Sequence, residues 1–65
     1  MKDLKIGDLF HILPSDEDDE DVGLVIEIDG GCIRIKWILW EFCSTEHLSQ
    51  IEIYVLNNIW KHFPR

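Results

Sequence analysis

The chain has 65 residues, of which 46% are hydrophobic and 29% charged, and its formal net charge at pH 7 is −7. This length is enough for one domain with a small core, so residues 1–65 are treated as a single domain and a multidomain organisation is excluded. Six Lys and Arg against 13 Asp and Glu argue against direct binding to nucleic acid, which requires clustered cations.

The first predicted element is a β-strand over residues 6–13 (IGDLFHIL), where a Gly-Asp turn signal precedes an apolar run that Pro14 ends. An acidic segment follows at residues 15–21 (SDEDDED), one serine and six adjacent carboxylates. Adjacent like charges repel one another and have no apolar face to bury. The acidic segment therefore predicts a solvated loop inserted between the first two strands.

Residues 22–28 predict the second strand, in which Val22, Leu24, Ile26 and Ile28 share one parity. Val25 breaks this alternation, which suggests a bend near Gly23 or a strand covered on both faces. The sequence Asp-Gly-Gly at 29–31 predicts a tight hairpin, because glycine adopts the positive φ that such turns require.

Residues 32–40 predict the third strand, with Arg34 and Lys36 facing solvent and with Ile33, Ile35, Trp37 and Leu39 facing the core. A short fourth strand is predicted over 41–45, one helical turn over 45–50 and a fifth strand over 51–56.

The C-terminal tail changes to a helical period. A short helix is predicted over 56–63, which Asn57 or Asn58 would cap and whose apolar stripe is Leu56, Ile59, Trp60 and Phe63. Two helical turns are not stable alone in water, so this tail must pack on another surface.

Several short motifs occur in the same order as in one known protein family. They are a Gly7-Asp8 opening, Gly23-x-Val25-x-x-Ile28, Ile35-x-Trp37 and Ser44-x-x-x-Leu48-x-x-Ile51. Over roughly residues 5 to 55 the chain resembles the small SH3-like barrel proteins of tailed bacteriophages. The resemblance implies an all-β fold, a small five-stranded SH3-like barrel with a short C-terminal helical turn, and a phage accessory or virion component. The acidic segment and the apolar tail depart from the family pattern.

The residues that could carry chemistry lack the spacing that chemistry requires. An EF-hand loop counted from Asp16 would place Asp21 at the position that requires glycine. His11, His47, His62, Cys32 and Cys43 show no zinc-ligand spacing. Cys43 or Ser44 near His47 could form a nucleophile and base, but no orienting acid or oxyanion hole is indicated. The sequence thus predicts no enzyme activity, no metal and no cofactor.

The remaining candidates are surfaces for a protein partner or for another copy of the chain. Partner-binding candidates are Trp40, which has outward parity, and the tail residues Leu56, Ile59, Trp60 and Phe63. The tail either packs on its own barrel or a neighbouring copy, or it inserts into a partner's groove.

Two functional hypotheses stay open at this point. The first is a phage structural or accessory protein that docks on a larger protein assembly. The alternative is a regulatory inhibitor that mimics nucleic acid with Asp16, Glu17, Asp18, Asp19, Glu20 and Asp21.

The N-terminal residues have no continuous apolar run of the kind a signal peptide requires, and no stretch is long enough for a membrane helix. We therefore expect location in the host cytoplasm or the virion, free thiols at Cys32 and Cys43, and no membrane contact.

Overall fold

The computed structural model describes residues 4–16 and 19–65, so Glu17 and Asp18 of the acidic segment lie outside the described residues. The elements in chain order are β1 (Leu9–Ile12), β2 (Asp21–Asp29), β3 (Cys32–Trp37), β4 (Phe42–His47), α1 (Leu48–Leu56) and β5 (Trp60–Phe63).

The strands form one antiparallel sheet in the order β4-β3-β2-β1-β5. The prediction of five strands in a β-rich domain is confirmed, although the helix is longer and the fifth strand lies elsewhere. The sheet is not closed, because β4 and β5 are its two edges, so a barrel is not confirmed. The nine-residue helix α1 connects these edges.

The β2–β3 hairpin is confirmed at the predicted position. Asp29 pairs with Cys32, and Gly30, the first of the two turn residues, has a φ of 60°. A positive φ at this position is what a type II′ turn requires. The hairpin fixes the register in which Ile33, Ile35 and Trp37 of β3 face the core, as predicted.

The predicted alternation of β2 is wrong because the strand contains a β-bulge. The register with β3 shifts between Val25 and Glu27, which leaves Ile26 as the extra residue. Val25 opposes the core residue Ile35 before the bulge, and Ile28 opposes the core residue Ile33 after it. Odd-numbered residues of β2 therefore face the core before the bulge, and even-numbered residues face it afterwards. Val25 is buried and Ile28 packs against the core, while Ile26 is exposed.

The third strand ends earlier than predicted. β3 stops at Trp37, and residues 38–41 turn back toward β4. Leu39, predicted to face the core, is 64% exposed. A turn does not continue the two-residue alternation of a strand, so the parity argument fails beyond Trp37.

The predicted fifth strand over 51–56 is wrong, because these residues belong to helix α1. The segment satisfies a helical period as well as an alternating one. Ile51 is fully buried, and Leu48, Tyr54 and Val55 are half-buried against the core, whereas Ile53 and Leu56 are exposed. A helix turns Leu48, Ile51 and Val55 toward the core together, whereas a strand would point Leu48 and Ile51 to opposite faces. This is why the segment is more stable as a helix.

The predicted helix over 56–63 is also wrong, because the two asparagines end a helix instead of starting one. Asn58 has a φ of 57°, its N–H donates to the Val55 carbonyl, and the N–H of Ile59 donates to the Tyr54 carbonyl. This pair of bonds is a Schellman motif, with asparagine in the left-handed position. The chain then continues as β5, which pairs with β1.

The core lies between the inner face of the sheet and α1. Its buried residues are Phe10, Ile12, Val25, Ile33, Ile35, Trp37, Ile51 and Trp60. Trp60 contacts the rings of Phe10, Trp37 and Tyr54, with centroid distances of 5.5, 5.1 and 4.7 Å. β5 is thus held to the domain by both its hydrogen bonds and its tryptophan.

Candidate functional site

Three connections of the chain meet at one end of the sheet. Ile12 pairs with both Asp21 and Trp60, and Gly23 pairs with Trp37. The connections 13–20, 38–41 and 57–59 therefore leave the sheet at the same end, which we call the loop end. The N–H of Leu13 donates to the Ile59 carbonyl at 3.0 Å, and the N–H of Ile38 donates to the Val22 carbonyl at 3.0 Å. These two bonds tie the start of the 13–20 connection to the 57–59 connection and the start of β2 to the 38–41 connection.

The loop end exposes a run of large apolar side chains. Residues 38–42, which we call the apolar loop, read Ile-Leu-Trp-Glu-Phe, and all five are exposed. Single exposed apolar residues are ordinary on protein surfaces, but contiguous ones mark interaction sites. A surface loop with four large apolar residues out of five is therefore the strongest candidate for a binding surface.

A buried carboxylate fixes the backbone of the apolar loop. Asp21 is fully buried, and its Oδ1 accepts hydrogen bonds from the N–H of Leu39 at 2.9 Å and of Val22 at 2.6 Å. Its Oδ2 accepts a longer bond from the N–H of Trp40 at 3.3 Å. Hydrogen bonds to an ionised acceptor are stronger than neutral ones, so this carboxylate orders the loop before any partner binds.

Ring contacts fix the two aromatic side chains of the apolar loop. Trp40 stacks on Phe42 with a centroid distance of 5.9 Å and an interplanar angle of 18°, and it lies 6.1 Å from Trp37 of the core. The indole N–H of Trp37 donates to the Ser44 hydroxyl at 2.8 Å. Trp40 and Phe42 are thus exposed on one side and supported by the core on the other.

The prediction that the whole acidic segment is a solvated loop is wrong at its last residue. Asp21 begins β2 and is buried, because the turn at 38–41 offers backbone N–H groups that need an acceptor. Asp16, Asp19 and Glu20 are exposed as predicted. The carboxylate of Glu20 lies 3.1 Å from Nε2 of His11 on β1.

The predicted partner-binding residues are only partly brought together. Trp40, Leu56 and Ile59 are exposed and lie at or beside the loop end. Trp60, in contrast, is only 7% exposed, because β5 turns it into the core. Phe63 is exposed, but on the outer face of the sheet opposite Leu9. The four tail residues therefore form no common stripe, since the helix that would align them is absent.

Sequence reasoning did not identify Ile38, Leu39 and Asp21 as residues of one site. Strand parity assigned Leu39 to the core, and charge assigned Asp21 to the loop. One signal was present: an unbroken run of Trp-Ile-Leu-Trp cannot place every side chain inward on a strand of a small domain.

A second buried carboxylate lies at the opposite end of β1. Asp8 accepts hydrogen bonds from the N–H groups of Lys5 at 3.0 Å and Arg65 at 2.8 Å, and its Oδ2 lies 2.9 Å from Nε2 of His62. Burial raises the pKa of Asp8, but the bonds from Arg65, His62 and Lys5 outweigh it and lower the pKa below its ordinary value. The His62 ring also stacks on Phe10. This arrangement ties the C-terminal residues to the start of β1.

Groups suited to metal binding are dispersed in the part of the chain that the structure describes. No three His, Cys, Asp or Glu side chains converge there on a possible metal position. Cys32 and Cys43 are free and exposed. No helix among residues 4–16 and 19–65 combines the length and the apolar character needed to cross a bilayer.

Comparison of the chain with protein-family models, with curated proteins and with solved structures finds no match.

Proposed function

We propose that this chain is a non-enzymatic protein-interaction module that docks through its loop end on a larger protein assembly. The apolar loop carries the proposal, because its four large side chains are exposed while the buried Asp21 carboxylate holds their backbone in place. A binding surface that is ordered beforehand avoids the entropic cost of ordering it on association.

The partner expected for this surface is a protein with an apolar pocket and a cationic rim. Glu41 lies within the apolar loop, Asp19 and Glu20 lie at the same end of the sheet, and all three are exposed. Carboxylates at the rim of an apolar contact direct association and select a basic partner. They also disfavour anionic lipid, which attracts Lys and Arg.

The proposed architecture is an SH3-like barrel left open between its edge strands. Three features support it: the meander β1 to β4, the pairing of the last strand with β1, and a long β2 bent by a bulge. Together with the motifs that resemble tailed-phage SH3-like proteins, these features support a structural or accessory role in a phage assembly, in the host cytoplasm or the virion.

The decisive experiment compares two matched isoleucine substitutions. Ile38 in the apolar loop is 54% exposed and Ile53 on α1 is 49% exposed, so Ile38→Ser and Ile53→Ser remove the same group at similar exposure. The immobilised protein is used to capture a partner from the native source, and the purified partner is then titrated with each variant. We expect about tenfold weaker binding for Ile38→Ser and unchanged binding for Ile53→Ser.

The same titration tests the alternative, in which the acidic segment mimics nucleic acid. A variant with Gly and Ser at 16–20 keeps Asp21 and therefore keeps the apolar loop ordered. Loss of binding in this variant, with Ile38→Ser unaffected, would establish mimicry and overturn docking. Binding of the wild type to vesicles of zwitterionic and anionic lipid, abolished by Ile38→Ser, would instead show that the apolar loop is a membrane contact.

A further inference from the structure

The two edges of the sheet differ in how well they are protected against pairing with another strand. β5 has four residues, carries Lys61 and is followed by Pro64, and Lys and Pro at an edge hinder further pairing. β4 has six residues, contains no Lys, Arg or Pro, and pairs with β3 without a shift in register. Among the described residues, β3 is its only strand partner. β4 is therefore the edge at which the sheet can be extended.

One hydrogen bond shows which backbone groups β4 directs away from the sheet. The N–H of Leu48 donates to the Gly31 carbonyl at 2.8 Å, immediately beyond the cross-strand pair of Cys32 and His47. In an antiparallel ladder, this bond identifies a pair whose own N–H and C=O groups point away from each other, and such pairs alternate with hydrogen-bonded ones. Three residues of β4 therefore direct their backbone groups outward: Cys43, Thr45 and His47.

These outward groups are available to another strand, with one exception. His47 is the N-cap of α1, so its carbonyl accepts a hydrogen bond from the helix. The N–H of His47, and the N–H and C=O of Cys43 and Thr45, have no hydrogen-bond partner among the described residues. A row of unpaired backbone groups on a sheet edge is a template for an added strand, because a strand presents groups with the same spacing.

We propose that β4 of one copy pairs with β4 of a second copy, antiparallel and with Thr45 opposite Thr45, so that the sheet continues across both copies. In this register the two Thr45 residues exchange N–H···O=C bonds, and each His47 N–H donates to the Cys43 carbonyl of the other copy. Both copies use the same surface, so the contact is isologous and closes as a dimer. This inference goes beyond the proposed function, which concerns the loop end.

The side chains of β4 complement one another in this register. The two Thr45 side chains face each other, which is a favourable cross-strand pair, and Ser44 lies opposite Glu46 of the second copy. The Ser44 hydroxyl accepts from the Trp37 indole N–H at 2.8 Å, so its own proton can be donated to that carboxylate. Centring the contact on Ser44 instead would place Glu46 opposite the apolar Phe42. Centring it on Glu46 would place two carboxylates opposite each other, which is destabilising.

Antiparallel pairing also keeps the acidic segments of the two copies apart. β4 begins at the loop end with Phe42, which pairs with Trp37, and it ends with His47 beside the β2–β3 hairpin. The loop end of each copy therefore lies beside the hairpin of the other copy. The two loop ends are separated by about 20 Å, the length of a six-residue strand. This exceeds the Debye length of about 8 Å at physiological salt, so the charge of −7 on each copy does not prevent pairing.

The first test changes the backbone and the side chain of Thr45 separately. Thr45→Pro removes an N–H that β3 does not use, so the fold should be retained while pairing is lost. Thr45→Lys keeps the N–H but places two cations opposite each other. Leu56→Lys is the matched control, since it makes the same change in charge at an 80% exposed residue of α1. Circular dichroism melts establish that each variant is folded, and analytical ultracentrifugation gives the association state from about 1 µM to about 1 mM, the range suited to a small interface.

We expect the wild type and Leu56→Lys to form dimers within this range, and both Thr45 variants to dimerise at least about tenfold more weakly. A wild type that is monomeric at all concentrations would overturn the inference. Equal association of Thr45→Lys and Leu56→Lys would overturn it as well. If Thr45→Pro proves unfolded, the comparison of the two lysine variants decides alone.

The second test determines the register by disulfide formation. Thr45→Cys and Ser44→Cys are each combined with Cys32→Ser and Cys43→Ser, and each protein is oxidised at a concentration at which the wild type is dimeric. Opposed residues of a hydrogen-bonded antiparallel pair have Cα atoms about 5.5 Å apart, a separation that a disulfide spans. We expect a disulfide-linked dimer for Thr45→Cys and none for Ser44→Cys. A crosslink at position 44 in place of 45, or none at 45, would overturn the register and with it the inference.

Discussion

At the scale of single residues, two buried aspartates organise opposite ends of the sheet. Asp21 accepts three backbone N–H groups, two of them from the apolar loop, and Asp8 accepts two backbone N–H groups and contacts His62. A buried carboxylate is costly unless donors surround it, and both aspartates have such donors. Asp21 therefore fixes the backbone of the apolar loop, and Asp8 fixes Lys5 and Arg65 at the start of β1.

We expect Asp21→Asn to lower the free energy of unfolding by about 2 kcal/mol, because an amide provides one acceptor oxygen in place of two and is uncharged. The measurement is chemical denaturation monitored by tryptophan fluorescence. Asp19→Asn, an exposed position in the same segment, is the matched control and should leave stability unchanged. Equal stability of the two variants would show that Asp21 does not order the apolar loop.

Asp8 should make stability depend on pH. Its pKa in the folded protein is below the ordinary value of 3.8, so its contribution is complete above that value and is lost as the pH falls through the lower, folded-state pKa. Asp8→Asn should therefore be less stable than the wild type at neutral pH, and the difference should narrow under more acidic conditions. Denaturation midpoints from pH 7 down to pH 2 check this; a difference constant over that range would contradict it.

Gly23 is required by close packing. A Cβ at this position would lie 2.5 Å from side-chain atoms of Ile35 and Trp37, whereas a Cβ on Gly31 meets no atom within 4 Å. We expect Gly23→Ala to cost about 1–3 kcal/mol by overpacking and Gly31→Ala to be nearly neutral. Thermal melts of the two variants give the comparison, and equal melting temperatures would show that the Ile35 and Trp37 side chains do not pack closely over Gly23.

At the scale of elements, two consecutive segments adopt the opposite of their predicted structure. Residues 51–56 alternate like a strand but form a helix, and residues 60–63 carry part of a helical stripe but form a strand. The Asn57-Asn58 pair lies between them, and it was assigned to the start of a helix. Asparagine also tolerates the left-handed conformation that ends a helix. The Schellman hydrogen bonds show that Asn58 has this second role and ends α1.

The β1–β2 connection should tolerate complete neutralisation. Replacing residues 16–20 with Gly and Ser removes the repulsion between neighbouring carboxylates. It also removes one contact between Glu20 and His11, and a surface ion pair of this kind contributes at most about 1 kcal/mol to stability. We expect a folded protein whose stability is within about 1 kcal/mol of the wild type, measured by denaturant titration. The same replacement extended to Asp21 should be clearly less stable, and equal stability of the two variants would contradict the role of Asp21.

At the scale of the whole molecule, the aromatic core holds the last strand to the rest of the domain. Trp60 contacts rings from β1, β3 and α1, so β5 cannot separate from the sheet without exposing this core. The apolar loop at the loop end, in contrast, stays exposed. The molecule thus separates a stabilising tryptophan, Trp60, from an exposed one, Trp40.

We expect Trp60→Ala to cost about 3–5 kcal/mol and to unfold much of the population, because it removes a buried aromatic side chain. Phe63→Ala, in the same strand but 44% exposed, should cost much less. Near-ultraviolet circular dichroism and thermal melts separate the two. Equal effects would contradict the burial of Trp60 on the inner face.

Local sequence signals determined the β2–β3 hairpin and the face that β3 turns to the core. The Asp-Gly-Gly hairpin and the alternation of Ile33, Ile35 and Trp37 are set by turn chemistry and by a two-residue period, both of which act between close neighbours. Charge likewise predicts the exposure of Asp16, Asp19 and Glu20, and Glu17 and Asp18 lie outside the described residues.

Only the tertiary structure decided the candidate site and the second half of the fold. Asp21 is buried because the distant residues Leu39 and Trp40 present N–H groups to it, and nothing adjacent in sequence indicates such donors. The apolar loop is exposed because β3 ends at Trp37. Val25 signalled an irregularity in β2, but only the pairing with β3 shows that it is a bulge between Val25 and Glu27. Residues 48–63 satisfy two periods at once, and the choice between them depended on which side chains reach a core built largely by the rest of the chain.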